Sequence, residues 1–90
     1  MQFVIHLVFG PEQRDAAQAR FAETGAPPPP GVKMTGRWHC VHGREVFLVC
    51  ETNDAAALAA WVQQWTDLVT FRVLPVIDDQ QVAQIIGGKK

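Results

Sequence analysis

Charge is scarce in this chain, and so is cysteine. Only 19% of its 90 residues are charged, 48% are apolar, and the formal net charge is -1. A soluble domain normally carries about 25% charged residues, so part of the apolar surface is expected to be hidden against a partner. Apart from Lys89-Lys90, lysine and arginine are scattered. Nucleic-acid binding needs a concentrated basic face, and without one no nucleic-acid partner is expected. Long apolar runs are missing too. Nothing approaches the roughly 20 residues that span a bilayer. Phe3–Phe9 is too short for a secretory leader and lacks a basic lead-in. The expectation is a cytoplasmic protein with no membrane-spanning segment. The two cysteines, Cys40 and Cys50, flank a hairpin turn read at His42-Gly43. If Val41 faces Arg44 or Glu45, Cys50 lies four or five residues past the partner of Cys40, about 13–17 Å away. A disulfide needs Cα atoms within about 7 Å, so none is expected, in keeping with a reducing compartment.

A chain of this length supports one domain, residues 1–90, with a modest stability margin. Gln2–Phe9 is rich in β-branched and aromatic residues and stops at Gly10-Pro11, the signature of a strand. Pro11 suits a first helical position and Gly25 a C-terminal cap, so Pro11–Thr24 reads as a helix with a thin apolar side of Ala16, Ala17 and Phe21. Pro27–Pro30 cannot continue that helix and reads as a stiff connector. Val32–Val41 and Glu45–Glu51 read as a hairpin. Thr52-Asn53-Asp54 supplies a helix cap, and Leu58, Trp61, Val62 and Trp65 recur at helical spacing over Ala55–Trp65. Leu68–Val76 is a fourth strand, with Pro75 near its end. Asp78–Ile86 reads as a short closing helix and Gly87–Lys90 as a frayed end. The order β-α-β-β-α-β is the ferredoxin-like plan, an α+β fold whose two helices cover one face of a four-stranded antiparallel sheet.

Alternation along each strand then predicts what the uncovered face carries. Phe3, Ile5, Leu7 and Phe9 form the bulkier set and are assigned to the helix side, with Val69, Phe71 and Val73. Trp38, Cys40, Val46, Leu48 and Cys50 are taken as helix-facing on the hairpin. The open face then receives Val4, His6, Val8, Arg37, His39, Phe47, Val49, Glu51, Thr70, Arg72, Leu74 and Val76. The hairpin faces depend on the turn, because a one-residue slip reverses a strand. Which of Arg37/His39 or Trp38/Cys40 faces the open side therefore stays open at the level of sequence. A solvated sheet face alternates to polar residues, and this one is half apolar. A symmetric homodimer, its two open faces enclosing a shared cavity, is the expected solution.

The residues able to carry chemistry follow from that placement. His39 and Arg37, two apart on one strand, project to one side; such a pair can bind an anionic or carbonyl-bearing ligand and move a proton. His6, mid-strand beside Arg72, is a second candidate acid or base. Phe47 offers a ring to an aromatic ligand, and Glu51 can orient His39 or pair with Arg37. His42, in the turn, is assigned no role. His6, His39 and Glu51 form a conceivable two-histidine, one-carboxylate set, but no short-range ligand motif supports it, and neither metal nor cofactor is expected. Gly10-Pro11 lacks the pattern of a phosphate loop, and no nucleophilic serine motif is present.

Gly25…Pro28-Pro29…Gly31-Val32-Lys33, the string Gly36-Arg37-Trp38-His39, the Trp61…Trp65 helix and Pro75-Val76 together resemble a family of short bacterial proteins, domain-of-unknown-function family 3303. The likeness spans nearly the whole chain. It implies the dimeric α/β-barrel superfamily, whose members include cofactor-free monooxygenases, polyketide cyclases, haem-degrading enzymes and stress-response barrels. The family itself has no agreed reaction, so the resemblance transfers no catalytic residue. The function expected is binding of a small hydrophobic or aromatic molecule in a cavity on the open sheet face, with acid–base chemistry by His39 and His6 and with Arg37, Arg72, Phe47 and Glu51 around the ligand. A non-catalytic sensor, or a structural dimer whose cavity is filled by side chains, is the alternative.

Overall fold

The chain forms four strands and three helices, in the order β1 Gln2–Val8, α1 Arg14–Thr24, β2 Lys33–His39, β3 Glu45–Glu51, α2 Ala55–Gln63, β4 Thr70–Val76 and α3 Asp79–Gly87. The computed structural model describes residues 1–87; beyond residue 87, the frayed end expected at Gly87–Lys90 lies outside the described residues. The sheet runs β2-β3-β1-β4 with every neighbouring pair antiparallel. That is the ferredoxin-like arrangement, extended by a third helix. No helix among the described residues is long and apolar enough to cross a membrane.

Local chemistry sets the element ends. Gly25 turns α1 off in the left-handed region (φ 73°) and donates its N–H to the Phe21 carbonyl, the usual role of glycine after a helix. Pro29, Pro30 and Gly31 form a tight turn closed by Val32 N–H donating to Pro29 O at 3.1 Å, with Gly31 at φ 91°. Proline followed by glycine is the pattern a type II turn requires. Asp54 caps α2 by accepting from Ala57 N–H at 3.0 Å. Thr52, buried at the same corner, donates its hydroxyl to Gly31 O at 2.7 Å and ties the proline connector to the start of α2.

The core lies between the sheet and the two crossover helices, in two clusters. Ile5, Val32, Leu48, Cys50, Leu58 and Trp61 form one. Phe9, Ala17, Ala26, Val46, Trp65 and Val69 form the other. On β1, β3 and β4 the faces fall as the alternation predicts: Ile5 stands beside Leu48 and Val73, and Leu7 beside Val46 and Phe71. Strand β2 is the exception. Its register pairs Arg37 with Leu48, Trp38 with Phe47 and His39 with Val46. Arg37 and His39 therefore face the helices, and Trp38 lies on the open side, the reverse of the assignment made from apolarity.

The cause is the turn. It centres on Val41-His42, with Gly43 N–H donating to Cys40 O at 2.9 Å and Gly43 left-handed at φ 83°. Cys40 N–H in turn donates to Glu45 O. With Cys40 opposite Glu45, every residue of β2 changes face relative to a pairing with Val46. A bulge between Met34 and Gly36 returns Met34 to the helix side, opposite Cys50. Both cysteines are free thiols.

Alone among the helices, α1 has little apolar surface to bury, and only Ala17 is fully covered. Arginines hold it instead. Arg20 makes a two-pronged contact with Asp67 (2.8 and 2.7 Å), donates to Gln64 O and lies over the Trp65 ring. Arg37 donates to the carbonyls of Gly25 and Ala26 at 3.2 and 3.0 Å, satisfying acceptors of the turn just past the end of α1.

Candidate functional site

The β2 register decides where chemistry can happen. A partly enclosed cavity of about 120 Å³ opens between α1, α2 and the helix-facing side of the sheet. Its floor is Ile5, Leu7, Val46 and Leu48, its walls are Phe9, Phe21, Trp61, Trp65 and Phe71, and Arg37 and His39 stand at its β2 rim. This cavity lies on the helix side of the sheet, not on the open face. Small side chains create it: Ala17 and Ala26 face it where larger residues would fill the gap between the two core clusters. A second depression, among Gly31–Lys33 and Glu51–Asn53, contains no aromatic ring and is open to solvent.

At the rim, Phe21 stands between the two polar residues. Its ring meets His39 edge-on at 5.1 Å and takes the Arg37 guanidinium over its face at 4.9 Å. Arg37 is half-buried, and burial pushes its guanidinium below its ordinary pKa. One donor on each terminal nitrogen is engaged, by the Ala26 and Gly25 carbonyls, and the guanidinium adds positive potential at the rim. His39 has no hydrogen-bond partner among the described residues, which leaves both ring nitrogens available to a ligand or a proton.

The string Gly36-Arg37-Trp38-His39 now has a physical explanation. Gly36 and Trp38 share the open face, and the indole lies over Gly36 so closely that a Cβ there would stand 2.5 Å from the ring. Arg37 and His39, on the alternate positions, serve the cavity. One tetrapeptide builds both faces of an edge strand.

The open face carries a different set. His6 donates from Nε2 to Glu45 Oε1 at 2.7 Å and stacks on Phe47 with ring centroids 4.4 Å apart. His42 faces the other carboxylate oxygen at 3.0 Å, while its Nδ1 accepts from Arg44 N–H. That backbone contact fixes the protonated nitrogen of His42 as Nε2. Glu45 thus joins two histidines, and hydrogen bonding to His6, with a smaller contribution from His42, holds its carboxyl below the ordinary range. Sequence reasoning passed over Glu45 and gave His42 no role. The available signal was the hairpin register, which sets Glu45 opposite Val8 and two residues from Phe47.

The model of the family described as Domain of unknown function (DUF3303) matches residues 1–90. The chain belongs to this family. No curated protein and no solved structure matches it. In this DUF3303 chain the expected site residues are divided between two faces. Arg37 and His39 line the cavity; His6, Phe47 and Arg72 lie in one row across the open face, His6 between its neighbours on β3 and β4. Glu51 pairs with Lys33 and Gln2 at the far end of the sheet, five residues from the partner of His39 and so about 17 Å along the strand. It cannot orient His39. His6, His39 and Glu51 do not converge, and no group of three His, Cys, Asp or Glu among the described residues could hold a metal ion.

The lowered Glu45 carboxyl gives a pH expectation. A carboxyl whose folded pKa is depressed contributes stability above the ordinary carboxylate range, and that contribution is lost as pH falls through the lowered value. Glu45→Gln should therefore be less stable than wild type near neutrality, and the gap should close as pH falls below the ordinary carboxylate range. Urea midpoints at pH 7, 5 and 3 measure it; parallel pH profiles for the two proteins would show that the histidine contacts do not stabilise the ionised form.

Proposed function

We propose that this protein binds a small apolar molecule, one aromatic ring or a short aliphatic group with a single polar end, in the cavity beneath α1 and α2, with the polar end toward His39. The observation that carries this reading is a ring-lined cavity whose rim bears His39, a histidine with no hydrogen-bond partner among the described residues. Size limits the ligand. An engineered apolar cavity of about 150 Å³ holds benzene, and pockets for drug-sized ligands run from about 300 Å³ upward. A cavity of about 120 Å³ suits roughly six to eight non-hydrogen atoms, not a haem. His39 is also the group on this rim able to accept a proton, so cofactor-free acid–base chemistry on such a ligand is the reaction class the site would support. A sensor with no turnover uses the same contacts.

Phenol and toluene are suitable probes, followed through the fluorescence of Trp61 and Trp65. Saturable binding of both is expected, with Kd between roughly 10 μM and 1 mM for so few atoms. Ala17→Leu, which fills the cavity from α1, should abolish binding of both. His39→Ala should weaken phenol about fivefold, the worth of one hydrogen bond, and leave toluene unchanged. Absence of saturable binding by either probe to the folded wild-type protein would overturn the reading.

The homodimer is a second reading, favoured by a specific observation: the open sheet face leaves Val8, Trp38, Phe47 and Leu74 exposed together. A shared face between two copies hides them.

A further inference from the structure

Helix α3 is built as carefully as the others yet packs on nothing. Asp78 Oδ1 accepts from Gln81 N–H at 2.8 Å, and Gln81 Oε1 accepts in return from Asp78 N–H at 3.0 Å. This reciprocal pair is a capping box, a strong local start signal. The helix nevertheless buries none of its residues. Val82, Ile85 and Ile86, at i, i+3 and i+4, form one apolar stripe, with Ile85 54% and Ile86 64% exposed. Nine residues are too few for a helix to be stable alone in water. The molecule is also elongated: its radius of gyration is 15.3 Å, where a compact chain of this length would have about 12 Å, and its long axis reaches 53 Å. An arm with an apolar stripe that finds no seat on its own domain needs one elsewhere.

We infer that α3 is an exchange arm that docks its Val82–Ile85–Ile86 stripe on a second copy of this chain, clasping a dimer formed through the open sheet faces; the inference rests on the dimer reading above. Area selects the occupant. Four seven-residue strands present a face of roughly 450 Å² in projection, and a stable interface buries about 800 Å² per partner. The sheet alone falls short, and α3, joined to edge strand β4 by Ile77 and Asp78, is the next apolar surface along the chain. A bilayer surface is the weaker fit, because helices that lie on membranes carry lysine and arginine on the polar face, and the polar positions of α3 are Asp79, Gln80, Gln81 and Gln84.

Sedimentation velocity from 0.1 to 100 μM on the full chain and on the double variant Ile85→Asp/Ile86→Asp tests the arm, with circular dichroism to verify the fold of the variant. The expected result is a full-chain dimer and a dissociation constant raised at least a hundredfold in the variant. A chain ended after Ile77 should behave like the double variant, which keeps the test valid if the two aspartates perturb α3 itself. Dimers of equal affinity in all three proteins would remove the arm and leave the sheet-face dimer standing. A full chain that is monomeric throughout would remove both. Co-sedimentation of the full chain with phosphatidylcholine/phosphatidylserine vesicles, lost in the double variant, would overturn the assignment to a second copy.

Discussion

Replacing Trp61 with alanine is expected to lower the unfolding free energy by about 3–5 kcal/mol. Trp61, beside Leu58 on α2, joins the helix to Ile5 and Leu48 of the sheet and is 6% exposed. Truncation removes its transfer free energy and leaves a void. One side of the ring already faces the cavity, so fewer contacts are lost there and the cost belongs toward the lower end, about 3 kcal/mol. A 90-residue domain at about 0.05–0.15 kcal/mol per residue has roughly 5–13 kcal/mol in all. The variant should therefore lose a quarter or more of its stability, and its thermal midpoint should fall by more than about 12 °C. Trp38→Ala is the matched control. The same residue type is 59% exposed there, and its removal should cost the isolated monomer less than about 1 kcal/mol. Urea unfolding at a concentration low enough to prevent self-association separates the two. If they cost the same, α2 is not seated on the sheet as described.

The contrast between these tryptophans also explains what the sequence could and could not disclose. Trp61 lies on α2 and Trp65 in the turn just past its end at Gln63, two residues short of the helix read from sequence; the 3.6-residue spacing with Leu58 still marks both as buried, so their burial was legible without coordinates. Strands β1 and β4 were legible for a similar reason, because Phe3, Ile5 and Leu7 outweigh Val4 and His6, and Phe71 outweighs Arg72. On β2 apolarity misleads. Trp38 is the most apolar residue of its strand, yet it lies over Gly36 on the open face, while Arg37 and His39 face the helices because each has a particular partner there: the end of α1 for Arg37, the Phe21 edge for His39. Nothing in the period of β2 encodes those partners. They follow from one hairpin turn and one bulge, where a shift of one residue exchanges the faces. The cavity was equally hidden, since it arises where Ala17 and Ala26 leave a gap between elements far apart in sequence. His39 and Arg37 were chosen as a pair for sound local reasons, and the pair persists; its side of the sheet was a long-range fact.

A charge at the centre of the open face gives the largest expected effect on assembly. Phe47→Asp should convert the proposed dimer to a monomer, raising the dissociation constant by about a thousandfold. Phe47 sits mid-strand on β3, 41% exposed and stacked on His6, between Trp38 on one side and His6 on the other. In the separate chain its loss costs little, about the 0.5–1.5 kcal/mol of the ring contact. In a two-fold interface each substitution is felt twice, because the same patch lies on both partners. Loss of a central aromatic anchor typically costs about 2 kcal/mol per copy, so about 4 kcal/mol per dimer, which is about a thousandfold in affinity. Val41→Asp provides the discriminating control, since Val41 is fully exposed at the hairpin tip, away from the proposed seam. Sedimentation equilibrium should find wild type and Val41→Asp associating alike and Phe47→Asp monomeric. If Val41→Asp dissociates the pair and Phe47→Asp does not, the copies meet through the hairpin tip and the open sheet face remains wet. A wild-type chain that stays monomeric at 100 μM would mean that Trp38, Phe47 and Leu74 are tolerated in water by a sheet that has no need of a second copy.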